Sequence, residues 1–479
     1  MKRVAIVGGG LSGVAAAYQL ARDGAAECAL FEGSPRLGGI VETERVATAG
    51  GDFIIECGPD SWVTEKPWAR ELAIELGLES EIIPSNDYRR RTYLLEDRRL
   101  IPIPDGMRLM VPSKWAPVME SPLFTWQARL AYLREARRAE ELKQSALPPG
   151  DDESIASFVR RHFGDEVTET LAAPLLAGVF GGSIDTLSVR AVMPAFVAME
   201  QKHGSLIAAL QKRSTTNEQA TNEQAAAIFT SLRSGLETLI ERMAASLPAK
   251  TVRLNHEVTS LERHGDHWQL EAAGSKFIFD EIILAPPAHV TRQLLRPTHT
   301  DFDSLLAMNA TSAIVVALAF TTEQAKNLRI PRGFGYLALQ KPHRTVPTPG
   351  TDPELLACTF VDQKFPYRAP EGAVLLRGFF GGNDAPALLG ESDVRLISLA
   401  HRQLARALGP LPEPKLAIVR RWPLSMPQYA VGHLTRMEQL AALTASFPGL
   451  HLIGNAYHGV GLPDMIRLGR ETARRIAQN

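Results

Sequence analysis

The chain opens with a change from strand-like to helix-like hydrophobic periodicity. Residues 4–7 are four apolar, strand-forming residues, three glycines follow, and small and apolar residues then dominate residues 12–22. A second apolar run, at 29–32, closes the segment. Short apolar runs of this length are typical of buried parallel strands, so the segment predicts a strand–helix–strand unit.

Helical patterning returns later in the chain. From residue 123 to 192 apolar positions recur three and four apart with charges between them, and a Pro-Pro-Gly break at 148–150 precedes another amphipathic helix. An exact tandem duplication of TNEQA occupies 216–220 and 221–225. Because it is short and polar, we expect an expanded surface loop or a helix extension there.

The second half of the chain is rich in strand-like runs. Residues 254–261 and 268–270 predict strands and lead to the apolar run FIFDEIIL at 277–284. The longest apolar stretch, AIVVALAF at 313–320, predicts a buried strand because it is far shorter than the ~20 residues that span a bilayer. The last strand-like run, at 450–453, precedes a glycine turn and a helix.

Three glycines mark the turn after the first strand. Gly8, Gly10 and Gly13 have the spacing G-x-G-x-x-G, and Glu32 follows at about the 20 residues that a dinucleotide fingerprint requires. Gly8 permits a tight turn, Gly10 lets the backbone approach a pyrophosphate, and Gly13 lets helix pack closely on strand. Free N–H groups at the helix start would hold the phosphates, and Glu32 would accept hydrogen bonds from ribose hydroxyls. The alternative is an apolar strand with a plain glycine turn, and at this point NAD and FAD both remain open.

A second glycine-rich segment follows the acidic residue closely. In Arg36-Leu37-Gly38-Gly39 the glycines allow the backbone to lie along a ribityl-pyrophosphate, and Arg36 can meet a phosphate bidentately. A surface turn is the alternative interpretation of these four residues.

The C-terminal segment favours FAD over NAD. Gly454, Gly459 and Gly461 follow the last strand, and Pro463 is predicted at the first helical position. A helix N-terminus can stabilise the negative charge of a reduced flavin, whereas a nicotinamide has no such need. An ordinary turn before a C-terminal helix is the alternative.

Composition limits the remaining interpretations. A chain of 479 residues predicts two or three domains, and 45% hydrophobic with 22% charged residues is typical of a soluble globular protein. The net charge of −1 gives no indication of a nucleic-acid partner. Cys28, Cys57 and Cys358 are too far apart for a zinc pattern, and so sparse a count predicts a reducing, cytoplasmic location.

The order of the motifs resembles the HemY-type porphyrinogen oxidases of the flavin amine oxidase superfamily. The matching segments cover nearly the whole chain: GGGLSG at 8–13, EGSPRLGG at 32–39, ECGPDSW at 56–62, PLLAGVFGGSIDTLS at 174–188, SGLETL at 234–239, RWPLSMPQYAVGH at 421–433 and GNAYHGVGLPDMI at 454–466. GPDSW and PQYAVGH are far more specific than the glycine motif.

The resemblance implies a set of residues in contact with FAD. They are Gly8, Gly9, Gly10, Leu11, Ser12, Gly13, Glu32, Gly33, Ile40, Cys57, Gly58, Pro59, Asp60, Val258, Trp422, Val460, Gly461 and Leu462. The backbone of Val258 would meet the adenine. Trp422 would lie near the isoalloxazine ring, and residues 460–462 would lie beneath that ring. Pro423 and Pro427 around Trp422 predict a shaped loop.

The resemblance also implies a fold. It is α/β plus α+β, with a Rossmann-type FAD-binding domain discontinuous in sequence (1–80, 226–290 and 430–479), a mixed-sheet substrate domain (81–115 and 291–429) and a helical subdomain (116–225).

The activity implied is oxidation of a porphyrinogen to the porphyrin in heme biosynthesis. It removes six electrons as three hydride transfers to flavin, with molecular oxygen as acceptor and hydrogen peroxide released. Hydride transfer needs no nucleophile and no metal, and the sequence names no catalytic base. A flavin amine oxidase, a carotenoid-type desaturase and a non-catalytic FAD-binding scaffold are the alternatives.

Seven cations between residues 89 and 114 are candidates for binding propionates: Arg89, Arg90, Arg91, Arg98, Arg99, Arg108 and Lys114. A solvated face is the alternative interpretation for most of them. A cation-rich site favours coproporphyrinogen III, with four propionates, slightly over protoporphyrinogen IX, with two. Peripheral membrane contact, transient contact with the next heme-pathway enzyme and the oligomeric state stay open.

Overall fold

The computed structural model describes residues 1–24, 26–218, 227–339 and 352–478. Most of the duplicated TNEQA segment, residues 219–225, lies outside them. The strands are β1 Lys2–Val7, β2 Ala26–Phe31, β3 Thr43–Thr48, β4 Gly51–Glu56, β5 Trp62–Val63, β6 Ile82–Pro84, β7 Thr92–Glu96, β8 Arg99–Pro102, β9 Met107–Arg108, β10 Val111–Pro112, β11 Phe229–Leu232, β12 Val252–Arg253, β13 Val258–His264, β14 His267–Ala272, β15 Ser275–Phe279, β16 Glu281–Leu284, β17 Ala310–Phe320, β18 Gly335–Ala338, β19 Ala357–Phe360, β20 Val374–Phe380, β21 Leu416–Pro427 and β22 Leu450–Leu452.

The α-helices are α1 Leu11–Asp23, α2 Trp68–Glu75, α3 Ala116–Glu120, α4 Trp126–Arg137, α5 Ala139–Gln144, α6 Ile155–Val167, α7 Ala173–Phe180, α8 Val189–Val192, α9 Pro194–His203, α10 Leu206–Glu218, α11 Glu237–Ala245, α12 Ala288–Leu295, α13 Asp301–Leu305, α14 Thr322–Ala325, α15 Val361–Lys364, α16 Ala385–Leu388, α17 Asp393–Leu408, α18 His433–Ala445 and α19 Leu462–Gln478. Short 3₁₀ turns occur at Glu79–Glu81, Asp87–Arg89 and Pro366–Arg368, and a π-helical turn at Thr168–Ala172 precedes α7.

Two compact units make up the chain. Unit 1 comprises residues 1–85, 227–310 and 435–479, and unit 2 comprises 86–226 and 311–434. Each unit is therefore assembled from separate stretches of sequence. The helical residues 116–218 belong to unit 2, and the prediction of a separate helical subdomain stays a prediction.

Unit 1 contains a five-stranded parallel sheet of order β12-β2-β1-β16-β22. On one side of β1 lie β2 and then β12, and on the other side lie β16 and then β22. This is the doubly wound order, with a switch point between β1 and β16. Residues 277–284, one apolar run in the sequence, contain the end of β15 and the whole of β16, and these two strands belong to different sheets. The predicted Rossmann-type fold is confirmed.

The parallel sheet is covered on both faces because its strands are apolar on both sides. Val4 and Ile6 pack with helices α1, α11 and α19, whereas Ala5 and Val7 pack with the antiparallel sheet β13-β14-β15 and helices α12 and α18. Helices α1 and α19 approach closely at Gly469, where a Cβ would lie 2.4 Å from the Ser12 carbonyl oxygen.

Unit 2 contains a seven-stranded mixed sheet of order β21-β17-β20-β19-β18-β7-β8, in which β18 and β7 are parallel. Its apolar face packs against α17. The predicted buried strand at 313–320 is confirmed as part of β17, whose residues 314–320 are at most 4% exposed. A second core, formed mainly by α4, α6, α7, α9 and α10, accounts for the helical patterning of the sequence.

The helical core contains a buried charged group, and the sequence analysis gave no indication of it. The His162 imidazole lies 3.0 Å from both Glu135 Oε1 and Glu200 Oε1, and Arg161 pairs with Glu200. Burial alone would lower the pKa of His162, but the hydrogen bonds to the two carboxylates outweigh it and the pKa is raised. His162 thus bridges two buried carboxylates, of which Glu200 also pairs with Arg161 and Glu135 also accepts the Ser205 hydroxyl.

Within the described residues, no helix is both long enough and apolar enough to cross a membrane.

Candidate functional site

The candidate cofactor site is built at the carboxyl end of β1. Gly8 follows this strand with φ +98°, a value that favours glycine, and a Cβ there would lie 3.0 Å from the backbone nitrogen of Pro286. Pro286 follows the neighbouring strand β16, on the other side of the switch point. Ligands of doubly wound sheets bind in this crevice.

Gly13 is tightly packed, whereas Gly10 faces open space. A Cβ on Gly13 would lie 2.0 Å from the carbonyl oxygen of Gly8, so only glycine lets α1 pack on the turn. A Cβ on Gly10 would meet no atom within 4 Å, because the space in front of it is open. This open space faces the start of α1, as a ligand that approaches the backbone requires.

Donor groups converge on the same helix end. Gly10 is the N-cap of α1 and provides no side-chain cap, and the N–H groups of Leu11, Ser12 and Gly13 have no partner within the helix. The Ser12 hydroxyl is 4% exposed, and its oxygen has no hydrogen-bond partner among the described residues. These donors fit a pyrophosphate.

Glu32 lies directly after β2, beside this turn. Its carboxylate accepts hydrogen bonds from the backbone N–H of Gly9 at 2.6 Å and of Ser34 at 2.8 Å. These bonds fix the orientation of the side chain, and the remaining lone pairs of its two oxygens can accept ribose hydroxyls.

The Arg36–Gly39 segment lies against the glycine turn. Gly38 N–H donates to the Gly9 carbonyl at 2.8 Å, and a Cβ on Gly39 would lie 3.2 Å from Gly10 Cα. Arg36, however, directs its guanidinium to the loop itself, donating to the carbonyls of Leu37, Gly39 and Val41 and to Glu42. It stabilises the loop, and its contact with a phosphate stays a prediction.

The next predicted segment packs on this loop. A Cβ on Gly58 would lie 1.8 Å from the Ile40 carbonyl oxygen, and the Cys57 N–H donates to the Glu42 carbonyl at 2.8 Å. Pro59 and Asp60 continue from there, and the Asp60 carbonyl accepts the hydroxyl of Ser231. Trp62, which ends the GPDSW motif, is 2% exposed, and its indole N–H has no partner within the described ranges.

Val258 begins β13, an edge strand of its three-stranded sheet, as its predicted main-chain role requires. The residues before it run beside Glu32: the His256 N–H donates to the Glu32 carbonyl at 2.8 Å, and Glu257 covers Gly33, where a Cβ would lie 3.3 Å from Glu257 Cβ. The sequence analysis missed Glu257, which no motif marks.

The C-terminal glycine segment lies at the carboxyl end of the same parallel sheet, because it follows β22, which runs parallel to β16 and β1. Gly454 has φ +130° and lies near the Ala285 carbonyl, and the turn 459–461 packs on the first turn of α19. Leu462 begins α19, so Pro463 is its second residue and not its first as predicted. Unit 1 contains all the predicted cofactor residues except Trp422.

Trp422 belongs to unit 2. The prediction of a shaped loop around it is wrong, because residues 416–427 form strand β21. Pro423 and Pro427 are compatible with a strand since β21 is at the edge of its sheet. Leu424 interrupts the strand geometry with φ +47°. The contact of Trp422 with the isoalloxazine stays a prediction.

The seven candidate cations are all exposed, and they fall into two groups. Arg89, Arg90 and Arg91 precede β7, and Arg91 lies 3.9 Å from Asp105, in the turn that leads to Arg108 and Lys114. Arg98 and Arg99 lie at the other end of β7, about 17 Å away along the strand. There, Arg98 lines a cavity together with Arg406 and with Glu96, Asp97, Glu169 and Glu354, so the carboxylates outnumber the guanidinium groups around Arg98.

Two of the motifs that carry the family resemblance pack on each other inside unit 2. The Gln428 side-chain amide donates to the Phe180 carbonyl at 2.7 Å, and a Cβ on Gly182 would lie 1.6 Å from Gln428 Oε1. This contact explains why PQYAVGH and AGVFGGS contain those residues, which the sequence analysis did not anticipate.

The chain is similar to known proteins along nearly its whole length. The chain is 34% identical to coproporphyrinogen III oxidase of Bacillus subtilis, with 98% of this chain and 96% of that protein covered. It is 31% identical to protoporphyrinogen oxidase of Bos taurus, with 99% and 98% covered. A solved structure of an Exiguobacterium protein assigned as a protoporphyrinogen oxidase matches with a TM-score of 0.83 and 30% identity, covering 100% of this chain and 99% of that chain.

The model of the flavin-containing amine oxidoreductases matches residues 11–477. The chain belongs to this family and is a flavin-dependent oxidoreductase. The predicted cofactor, FAD, is confirmed at this level, and the open space over Gly10, the unpartnered Ser12 hydroxyl and the oriented Glu32 carboxylate fit its adenosine diphosphate half.

Proposed function

We propose that this member of the flavin-containing amine oxidoreductase family oxidises a porphyrinogen to the porphyrin in heme biosynthesis, with coproporphyrinogen III favoured over protoporphyrinogen IX. The observation that supports it most is the end-to-end similarity to named porphyrinogen oxidases at 31–34% identity. Bound FAD supplies a two-electron acceptor that dioxygen reoxidises with release of hydrogen peroxide, and three such oxidations convert a porphyrinogen to a porphyrin.

The residues of unit 1 would hold the cofactor. The N–H groups at the start of α1 and the Ser12 hydroxyl would bind the pyrophosphate, Glu32 the adenosine ribose, and the backbone of Val258 the adenine. The turn 459–461 and α19 would lie at the isoalloxazine end. We further propose a cytoplasmic location, because Cys28, Cys57 and Cys358 form no disulfide within the described residues, as is usual in a reducing compartment.

Substrate preference is proposed to follow the cations. The group around Arg90 and Arg91 carries a net positive charge, whereas carboxylates compensate the group around Arg98. Only the first group can therefore attract propionates strongly, since arginine binds carboxylates by charge-assisted hydrogen bonds.

Replacing both Arg90 and Arg91 by glutamine is expected to raise KM for coproporphyrinogen III about tenfold, which corresponds to ~1.4 kcal/mol of lost binding. Steady-state porphyrin fluorescence measures it. The matched control replaces Arg98 and Arg99 by glutamine and should leave KM within about twofold of wild type. Equal effects of the two double variants would contradict the assignment.

Anaerobic mixing tests the proposed activity itself. The purified FAD-loaded protein is mixed with coproporphyrinogen III, and separately with a primary amine, while flavin absorbance is followed. We expect the porphyrinogen to bleach the flavin and the amine to leave it oxidised. Bleaching by the amine alone would show that the chain is an amine oxidase, and no bleaching by either would favour an FAD-binding scaffold.

A further inference from the structure

An ion pair joins two distant parts of unit 1 at the C-terminal glycine turn. Lys66, in the connection between β5 and α2, places its Nζ 2.6 Å from Asp464 Oδ2. Asp464 is the third residue of α19. No sequence motif suggests this contact, because the two residues are 398 positions apart.

The Asp464 carboxylate supports the turn directly. A Cβ on Gly459 would lie 2.6 Å from Asp464 Cγ, and a Cβ on Gly461 would lie 3.1 Å from Asp464 Oδ2. Gly459 has φ +110°, so the backbone closes around the carboxylate in a conformation that favours glycine. The backbone of the turn 459–461 is therefore packed directly against the Asp464 carboxylate, and a change in the position or charge of this group affects the turn.

The two partners differ in exposure. The Asp464 side chain is 7% exposed and the Lys66 side chain 46%. A carboxylate this deeply buried depends on its partner, because removing one member of such a pair leaves an uncompensated charge. The Lys66 ammonium is the counter-charge that the structure provides.

We propose that Lys66 is a positioning residue for the flavin: by holding and compensating Asp464, it keeps the turn 459–461 able to stabilise the reduced cofactor. The inference rests on the proposed placement of the isoalloxazine at this turn. With Lys66 in place, Asp464 adds little net negative charge beside the ring. Without it, the uncompensated charge of Asp464 opposes the negative charge that the flavin gains on reduction.

The test is a double-mutant cycle on the FAD-loaded protein, with the flavin potential measured by equilibration against a redox dye. Lys66→Met should lower the ratio of reduced to oxidised flavin about tenfold at fixed potential, a shift of ~30 mV for a two-electron couple. In the background of Asp464→Asn the same substitution should change the ratio less than about threefold. Lys66→Arg, which keeps the charge, should stay within about threefold of wild type.

A matched control uses the pair Lys2–Glu281, at 2.8 Å, which lies where β1 and β16 begin, at the opposite edge of the parallel sheet. Lys2→Met should leave the potential unchanged. Thermal unfolding of every variant shows that it is folded. An equal effect of Lys66→Met in the wild-type and Asp464→Asn backgrounds would overturn the proposal, because Lys66 would then act on the flavin directly. A flavin potential unchanged by Lys66→Met would overturn it as well.

No porphyrinogen enters this experiment. A chain that fails to oxidise porphyrinogens can still show the predicted coupling, so failure of the proposed function and failure of this inference are distinguishable.

Discussion

Replacement of Gly10 by valine is expected to weaken FAD binding about 1000-fold while leaving the stability of the apoprotein within about 1 kcal/mol of wild type. Gly10 has φ −68° and ψ 175°, a conformation open to any residue, and a Cβ there meets no atom within 4 Å. A Cβ therefore meets no steric clash in the apoprotein, and the cost there is about 1 kcal/mol or less, from replacing glycine by valine at an N-cap. It would instead occupy the space through which a pyrophosphate approaches the helix start, at a cost of ~4 kcal/mol.

Titration of apoprotein with FAD, followed by fluorescence quenching, gives the dissociation constant, and thermal unfolding gives the stability. The control is Gly13→Ala, in which the new methyl carbon would lie 2.0 Å from the Gly8 carbonyl oxygen. That variant should lose about 3 kcal/mol of folding free energy even without cofactor. If valine at position 10 left FAD affinity within threefold of wild type, the pyrophosphate would have to bind elsewhere.

Replacement of Glu32 by glutamine should weaken FAD binding about 100-fold. The carboxylate accepts two backbone N–H groups and retains lone pairs for a ribose, whereas an amide has a single acceptor oxygen. Its NH₂ group would face the N–H of either Gly9 or Ser34, so the side chain loses the orientation that presents an acceptor to the ribose. The bound cofactor then lacks a hydrogen bond to a charged acceptor, worth ~1.5–3 kcal/mol. The same FAD titration measures the loss.

Glu27→Gln is the matched control, since Glu27 is exposed on the same strand β2, far from its carboxyl end. Its FAD affinity should equal that of wild type. Comparable losses in the two variants would mean that general charge, and not the position of Glu32, determines affinity.

The first unit of the fold was predictable because its information is local. The strand, the glycine turn, the helix and Glu32 occupy residues 2–32, and the contact that requires glycine at position 13, with the Gly8 carbonyl, also lies within this segment. The buried strand at 313–320 was predictable for the same reason, since an apolar run of that length needs burial regardless of its partner.

Features that depend on tertiary contacts were not predictable. The prolines beside Trp422 suggested a loop because nothing in the sequence shows that β21 is an edge strand, where prolines are tolerated. Likewise, Glu257 beside Gly33 and Lys66 against Asp464 come from segments far apart in sequence. The glycine-rich loop that begins at Arg36 was predicted correctly, but the role of the Arg36 side chain was not. Its hydrogen bonds to the loop carbonyls are visible only in three dimensions.

Turnover of coproporphyrinogen III and protoporphyrinogen IX, measured side by side in air with the purified FAD-loaded protein, tests the central claim most directly. Porphyrin fluorescence and hydrogen peroxide are recorded together. We predict porphyrin from both substrates, three molecules of peroxide for each porphyrin, and faster turnover of coproporphyrinogen III. Porphyrin formation no faster than in enzyme-free buffer, with no peroxide from either substrate, would contradict the assignment of this chain as a porphyrinogen oxidase.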